Sequence, residues 1–73
     1  MSKDIKVKFA KRLKKLRAEY NYTQQRLSAI ADIDYKHIQR LESKDPPAAR
    51  IDTLEKIAGA FGISLSKLLD FDK

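Results

Sequence analysis

The sequence predicts an all-α fold of five helices in a single compact domain, residues 1–73. Apolar residues recur three and four positions apart, which is the spacing of one face of an α-helix. Residues typical of helix ends stand between these apolar segments. No alternating strand pattern and no internal repeat is visible, and 73 residues leave room for one small core.

Helix 1 is predicted over residues 4–20 by a stripe of apolar side chains. The stripe consists of Phe9, Leu13, Leu16 and Tyr20. Ile5 and Val7 alternate with lysines and fit this stripe poorly, so they are expected to form either a frayed start or a short extended arm. Asn21 is expected to end the helix, because asparagine tolerates the left-handed conformation common at helix ends.

Helices 2 and 3 are predicted to be short and joined by a sharp turn. Thr23 is placed to cap helix 2, which ends near Asp32, a residue type that accepts positive φ. Asp34 is expected to cap helix 3, which runs to about Ser43. The inward side chains are expected to be Leu27, Ile30, Ala31, Ile33, Ile38 and Leu41. Residues 44–49 then form a loop, since its two prolines end any helix.

Helices 4 and 5 complete the predicted fold. Asp52 and Glu55 have the spacing of a capping box, which places the start of helix 4 at Asp52, and Gly62 is expected to end it. Ser64 is expected to cap a short helix 5. The apolar residues of this region are Leu54, Ile57, Ala58, Phe61, Leu65, Leu68, Leu69 and Phe71.

The net charge of +6 is concentrated at the N-terminal end. Residues 1–20 hold eight basic and two acidic side chains, which favours a polyanionic partner such as nucleic acid or an anionic membrane. The amphipathic segment 3–17 would suit a membrane surface if its apolar face were free, but a core this small needs that face. No apolar run approaches ~20 residues and no secretory h-region occurs. We therefore expect no membrane association and a cytoplasmic protein.

Enzymatic and metal-dependent functions are disfavoured by the residue types present. The chain has no cysteine and one histidine, so neither a metal site nor another cofactor is expected. His37 is expected on the polar side of helix 3, as a solvated or phosphate-facing side chain. Two glycines leave no glycine-rich phosphate loop, and no nucleophile has an evident orienting partner. The chain is predicted not to be an enzyme.

A set of motifs between residues 23 and 42 resembles the helix-turn-helix of lambdoid phage repressors and Cro, the XRE-type family. The motifs are Thr23-Gln24, Leu27-Ser28, Asp32-Ile33-Asp34, Ile38 and Leu41-Glu42. Residues 13–17, 54–58 and 61–64 resemble the family's first, fourth and fifth helices, so the resemblance covers about residues 7–71. Asp32 and Asp34 depart from the family pattern, which usually has glycine and then serine or threonine there.

The resemblance implies a sequence-specific, double-stranded DNA-binding transcriptional regulator, either a repressor or an autoregulator. Helix 3, residues 35–43, would lie in the major groove, where Arg40 suits bidentate contact with guanine. The base-reading candidates are Tyr35, Lys36, Gln39 and Arg40, and the phosphate candidates are Gln24, His37, Ser43, Lys44 and Arg50. The resemblance also implies an ion pair between Arg17 and Glu42 that joins helix 1 to the end of helix 3.

One recognition helix reads few base pairs, which favours a homodimer on a palindromic operator. Leu65, Leu69 and Phe71 are candidates for the dimer interface, although all three packing inward is an equal alternative. Within DNA binding, a restriction–modification controller is a further alternative. An antitoxin or an adaptor would instead use the fold mainly for contacts with a protein partner.

Overall fold

The computed structural model describes residues 4–71, so residues 1–3 and 72–73 of the predicted domain lie outside the described part. These residues form five helices and no strand, which confirms the predicted all-α fold. The helices are α1 (Ile5–Tyr20), α2 (Gln24–Ala31), α3 (Tyr35–Leu41), α4 (Ile51–Phe61) and α5 (Leu65–Leu68). None of the described helices is long and apolar enough to cross a membrane.

Ile5 and Val7 both lie within α1, which begins at Ile5, so the frayed or extended start expected for them is wrong. Asp4 caps this start, since its side chain accepts a hydrogen bond of 3.0 Å from the backbone N–H of Lys6. At the other end Asn21 adopts the left-handed conformation, with φ 58°, and its N–H caps the final turn. The cap at Asp4 explains why a poorly amphipathic first turn still folds as helix.

The turn between α2 and α3 has the predicted left-handed residue at Asp32, with φ 59°. Thr23 caps α2 as expected, because its hydroxyl oxygen accepts a hydrogen bond of 3.0 Å from the backbone N–H of Arg26. Asp34 occupies the N-cap position of α3 as predicted, although its side chain forms no capping hydrogen bond. Ile30 was expected to face inward but is 44% exposed, because the eight-residue helix turns Leu27 and Ala31 to the core instead.

α3 and α4 have different ends from those predicted. α3 ends at Leu41 rather than at Ser43, and α4 begins at Ile51 rather than at a capping Asp52. The Asp52 carboxylate instead accepts from the N–H of the adjacent Thr53, so no capping box forms. Gly62 ends α4 with φ 69°, as expected, because glycine adopts that conformation without steric strain.

The core joins all five helices. Its fully buried side chains are Leu13, Leu27, Ile38, Leu41, Ile57 and Leu68. Ser64 caps α5 through a 3.1 Å bond from the N–H of Lys67, which positions Leu68 in this core. Arg12 ties α1 to the end of α5, donating from Nε to the carbonyl of Leu68 at 3.1 Å and from Nη2 to that of Lys67 at 2.7 Å.

Candidate nucleic-acid interface

α3 is divided lengthwise into a buried and an exposed side. Ile38 and Leu41 are almost fully buried, at 0% and 1% exposure, and this fixes the rotation of the helix. The residues expected to read bases lie on the other side, where Lys36, Gln39 and Arg40 are exposed and Tyr35 is half-buried. Gln39 Nε2 lies 3.3 Å from the hydroxyl of Tyr35, one turn earlier. This exposed row therefore presents two cations and two uncharged hydrogen-bonding groups.

A buried ion pair holds the end of α3 against α1. Glu42 is only 4% exposed, and Arg17 donates to both of its oxygens, from Nε to Oε2 at 2.6 Å and from Nη2 to Oε1 at 2.8 Å. The remaining Arg17 nitrogen, Nη1, donates to the carbonyl of Tyr22 at 2.9 Å. The hydrogen bonds to Glu42 raise the pKa of Arg17 above its usual value, against the opposing effect of burial. All three nitrogens of the guanidinium are thus hydrogen-bonded within the protein.

Gln24 at the start of α2 also contacts this pair. Its Nε2 donates to Oε1 of Glu42 at 3.0 Å, so one of the two amide N–H groups is engaged inside the protein. The resemblance implies a phosphate contact for Gln24, and nothing in the sequence indicates this structural role. Since Glu42 now accepts three hydrogen bonds, both helices of the helix-turn-helix are fastened to one carboxylate.

The other phosphate candidates lie on α3, just past its end and at the start of α4. His37 is half-buried, and Lys44 is exposed just past the helix. The Ser43 hydroxyl donates to the carbonyl of Arg40 at 2.7 Å and so caps the helix end. Arg50 precedes α4 and lies 3.3 Å from a carboxylate oxygen of Asp52, in a pair whose side chains are 83% and 59% exposed. Such an exposed pair opens at little cost, which leaves Arg50 available to an anion.

The two aspartates of the turn are both exposed. Asp32 contributes its backbone, because its N–H caps the end of α2 at Ser28. Asp34 stands at the N-terminus of α3, where a carboxylate interacts favourably with the helix dipole. Their charges nevertheless lie on the turn that precedes the exposed row of α3, where they oppose the approach of a polyanion.

No group of three or more histidine, cysteine, aspartate or glutamate side chains that could hold a metal occurs within residues 4–71. Every buried side-chain nitrogen and oxygen in this part of the chain has a hydrogen-bond partner.

Comparison with known proteins identifies a family and proteins similar to this chain. A helix-turn-helix family model matches residues 13–68. Control protein C.MunI of Mycoplasma sp is 36% identical over 72 residues, which cover 96% of this chain and 96% of that protein. A chain in the solved complex of SinR protein with SinI protein superposes with a TM-score of 0.77 at 26% identity. That match covers 85% of this chain but spans only 60% of the SinR–SinI chain.

Proposed function

The chain belongs to the helix-turn-helix family and is a DNA-binding transcriptional regulator, and from this premise we propose that it acts as a sequence-specific repressor or autoregulator. The whole of residues 1–73 would serve as one DNA-binding domain, which the nearly full-length match to a control protein supports. We infer that it acts in the cytoplasm, where its DNA would lie. The proposed function needs neither a cofactor nor catalysis.

The proposed mechanism places α3 in the major groove. Arg40 would donate in parallel to O6 and N7 of a guanine, since its planar guanidinium matches this pair of acceptors. Lys36 and Gln39 lie on the same exposed row and would contact neighbouring bases, and Tyr35 would pack against a thymine methyl or reach a phosphate. Gln24, His37, Ser43, Lys44 and Arg50 are the proposed phosphate contacts.

One observation carries this proposal: α3 is braced on one side and free on the other. Ile38, Leu41 and Glu42 attach the helix to the rest of the fold. Lys36 and Arg40 form no ion pair with any residue between 4 and 71. A helix that is rigidly positioned but has unneutralised cations outward meets the requirement for docking in a groove without further ordering.

We propose further that the protein binds a palindromic operator as a homodimer. Leu69 is 39% exposed, and Leu65 and Phe71 are half-buried against the core. Leu69 and Phe71 also line an open apolar groove of about 330 Å³ beside the start of α1. Exposed apolar surface of this kind, next to helix α5, is what an isologous contact would cover. Of the three candidates, Leu69 has the largest exposed fraction.

The second candidate function is a regulator that acts through a protein partner. The SinR–SinI relative is a complex between two proteins, which supports such contacts in addition to DNA binding. An antitoxin or adaptor would use the apolar groove beside α5, whereas the exposed row of α3 would be unnecessary for it. The relative named a control protein favours the regulator that binds DNA.

Selection of bound fragments from random and genomic DNA at physiological salt tests the proposal. A specific regulator is expected to enrich one short sequence with two inverted half-sites, centred about 34–36 Å apart. Recovery of fragments without any common sequence would leave only non-specific binding and would count against the proposed function.

A further inference from the structure

We propose that a cationic cleft between α1 and the end of α3 binds a backbone phosphate of the DNA, outside the major groove that α3 reads. The cleft has a volume of about 290 Å³ and is defined by three lysines, Lys11 and Lys14 of α1 and Lys44 beyond α3. Val7, Ala10, Glu42 and Ser43 complete its lining. The inference rests on the proposed function and adds a contact made by the first helix.

The lysines of the cleft lack a counter-ion among residues 4–71. Lys11, Lys14 and Lys44 are exposed, and none forms an ion pair with another residue in the described part of the chain. The acidic side chain in the lining, Glu42, already accepts two hydrogen bonds from Arg17 and one from Gln24. Its negative charge is neutralised from the other side, so the cleft keeps an excess positive charge that an external anion would balance.

The two arginines of α1 have internal functions, which sets the cleft lysines apart from them. Arg12 is bound to the last carbonyls of α5, and Arg17 is bound to Glu42. Lys11 and Lys14 are one helical turn apart and converge with Lys44, some thirty positions later in the chain, on a single cleft. Convergence from two separate elements distinguishes this cleft from an ordinary solvated helix face.

The position of the cleft relative to α3 indicates which anion it would bind. Lys36 and Arg40 are one turn apart on α3, and Lys44 in the lining of the cleft follows three residues after the last residue of this helix. A DNA strand bordering the groove read by Arg40 would therefore meet Lys44 and then the lysines of α1. The partial negative charge at the C-terminus of α3 opposes an anion there, but three lysine charges outweigh it. Lysine binds phosphate as a point charge, so this contact would not depend on base sequence.

The test compares two double variants that lose the same charge. K11Q/K14Q removes two cleft lysines, whereas K56Q/K67Q removes two exposed lysines that line no part of the cleft. Binding to the selected operator and to unrelated DNA is measured over a series of salt concentrations by fluorescence anisotropy. For K11Q/K14Q we expect about tenfold weaker binding to both DNAs and a salt slope shallower by about 1 to 2. K56Q/K67Q should change affinity by no more than about twofold, and circular dichroism should show both variants folded.

Replacement of single DNA phosphates by uncharged linkages then identifies the phosphate that the cleft binds. A methylphosphonate placed at each phosphate around a half-site should weaken the wild type at one or two positions, and K11Q/K14Q should show no further loss there. Equal behaviour of the two double variants, with operator selection intact, would overturn the cleft but not the proposed function. Failure of the wild type to select any operator would instead overturn the proposed function. Loss of binding to phosphatidylserine vesicles in K11Q/K14Q, with DNA affinity unchanged, would also overturn the proposal by assigning the cleft to a membrane surface.

Discussion

Arg17 of α1 and Glu42 at the end of α3 form a two-point ion pair, with an Nε–Oε2 distance of 2.6 Å and an Nη2–Oε1 distance of 2.8 Å. The exposed fraction of the two side chains is 21% and 2%. The pair joins the first helix to the helix proposed to enter the groove, and Gln24 adds α2 to the same carboxylate. Removal of this ion pair should therefore lower the stability of the fold that orients α3. It should not remove a direct contact with DNA.

Arg17→Ala is expected to lower the free energy of unfolding by about 2–4 kcal/mol, because it leaves the Glu42 carboxylate buried without its counter-ion. Since the pKa of Arg17 is raised, its stabilising charge is fully present at every pH below its usual pKa. Arg17 is consequently charged at both pH 6 and pH 8, and the loss of unfolding free energy should be the same at the two values. Urea unfolding at the two pH values measures it.

Arg50→Ala is the matched control for that variant. It also removes an arginine from a pair with a carboxylate, but the Arg50–Asp52 pair is mostly exposed. The expected change is within about 0.5 kcal/mol. Equal destabilisation by the two substitutions would mean that the buried position of Glu42 has no special importance.

Lys44→Ala is expected to weaken binding to every DNA sequence by the same factor, about three- to tenfold, and to make the salt slope shallower by about 1. Lys44 is exposed, lies past the end of α3 and forms no ion pair within residues 4–71. Anisotropy titrations on operator and non-operator duplexes provide the measurement. A loss restricted to the operator would show that Lys44 reads a base.

Asp32→Gly is expected to tighten DNA binding about two- to fivefold at low salt, because it removes an exposed carboxylate from the turn before α3. Stability should change by less than about 1 kcal/mol, since relief of the positive φ is offset by the greater freedom of glycine in the unfolded chain. Asn21 has nearly the same φ as Asp32, and Asn21→Gly changes no charge. The affinity of this control variant for DNA should therefore stay at the wild-type value. If both glycines altered affinity alike, backbone conformation and not charge would be the cause.

Leu69→Glu is expected to convert a dimer to a monomer, because it places a charge on exposed apolar surface beside α5. Sedimentation equilibrium at increasing protein concentration measures the change. Ile30→Glu alters a residue of similar exposure, 44% against 39%, on α2 and should leave association unchanged. A wild type that stays monomeric at high concentration would contradict the proposed homodimer.

Most of the fold follows from local signals in the sequence. Asn21, Asp32 and Gly62 are residue types that accept positive φ, and each ends a helix where the sequence predicts it. Thr23 and Ser64 act at the beginnings of helices for an equally local reason, since their hydroxyl groups accept from N–H groups three residues later.

The errors concern features that local signals do not determine. Ile30 and Ala31 fit an inward stripe equally well by spacing, and only packing against the other helices decides that Ile30 faces out. Asp52 has the spacing of a capping box, but the N-cap of α4 is Arg50, two residues earlier. Arg12 reaches α5 across 56 positions of sequence, and no pattern near Arg12 indicates that contact. In the site, the exposed row of α3 was predicted from the buried pair Ile38 and Leu41, whereas the engagement of Gln24 by Glu42 depends on tertiary structure.

The central claim, that α3 reads bases from the major groove, is tested most directly by repeating the selection of DNA sites with Arg40→Ala. Arg40 is exposed and has no ion-pair partner in the described residues, so its removal should not alter the fold. We expect the variant to lose about 1–3 kcal/mol of operator affinity and to accept any base at one position of each half-site, with the other positions unchanged. A selected site identical to that of the wild type at every position would contradict the account.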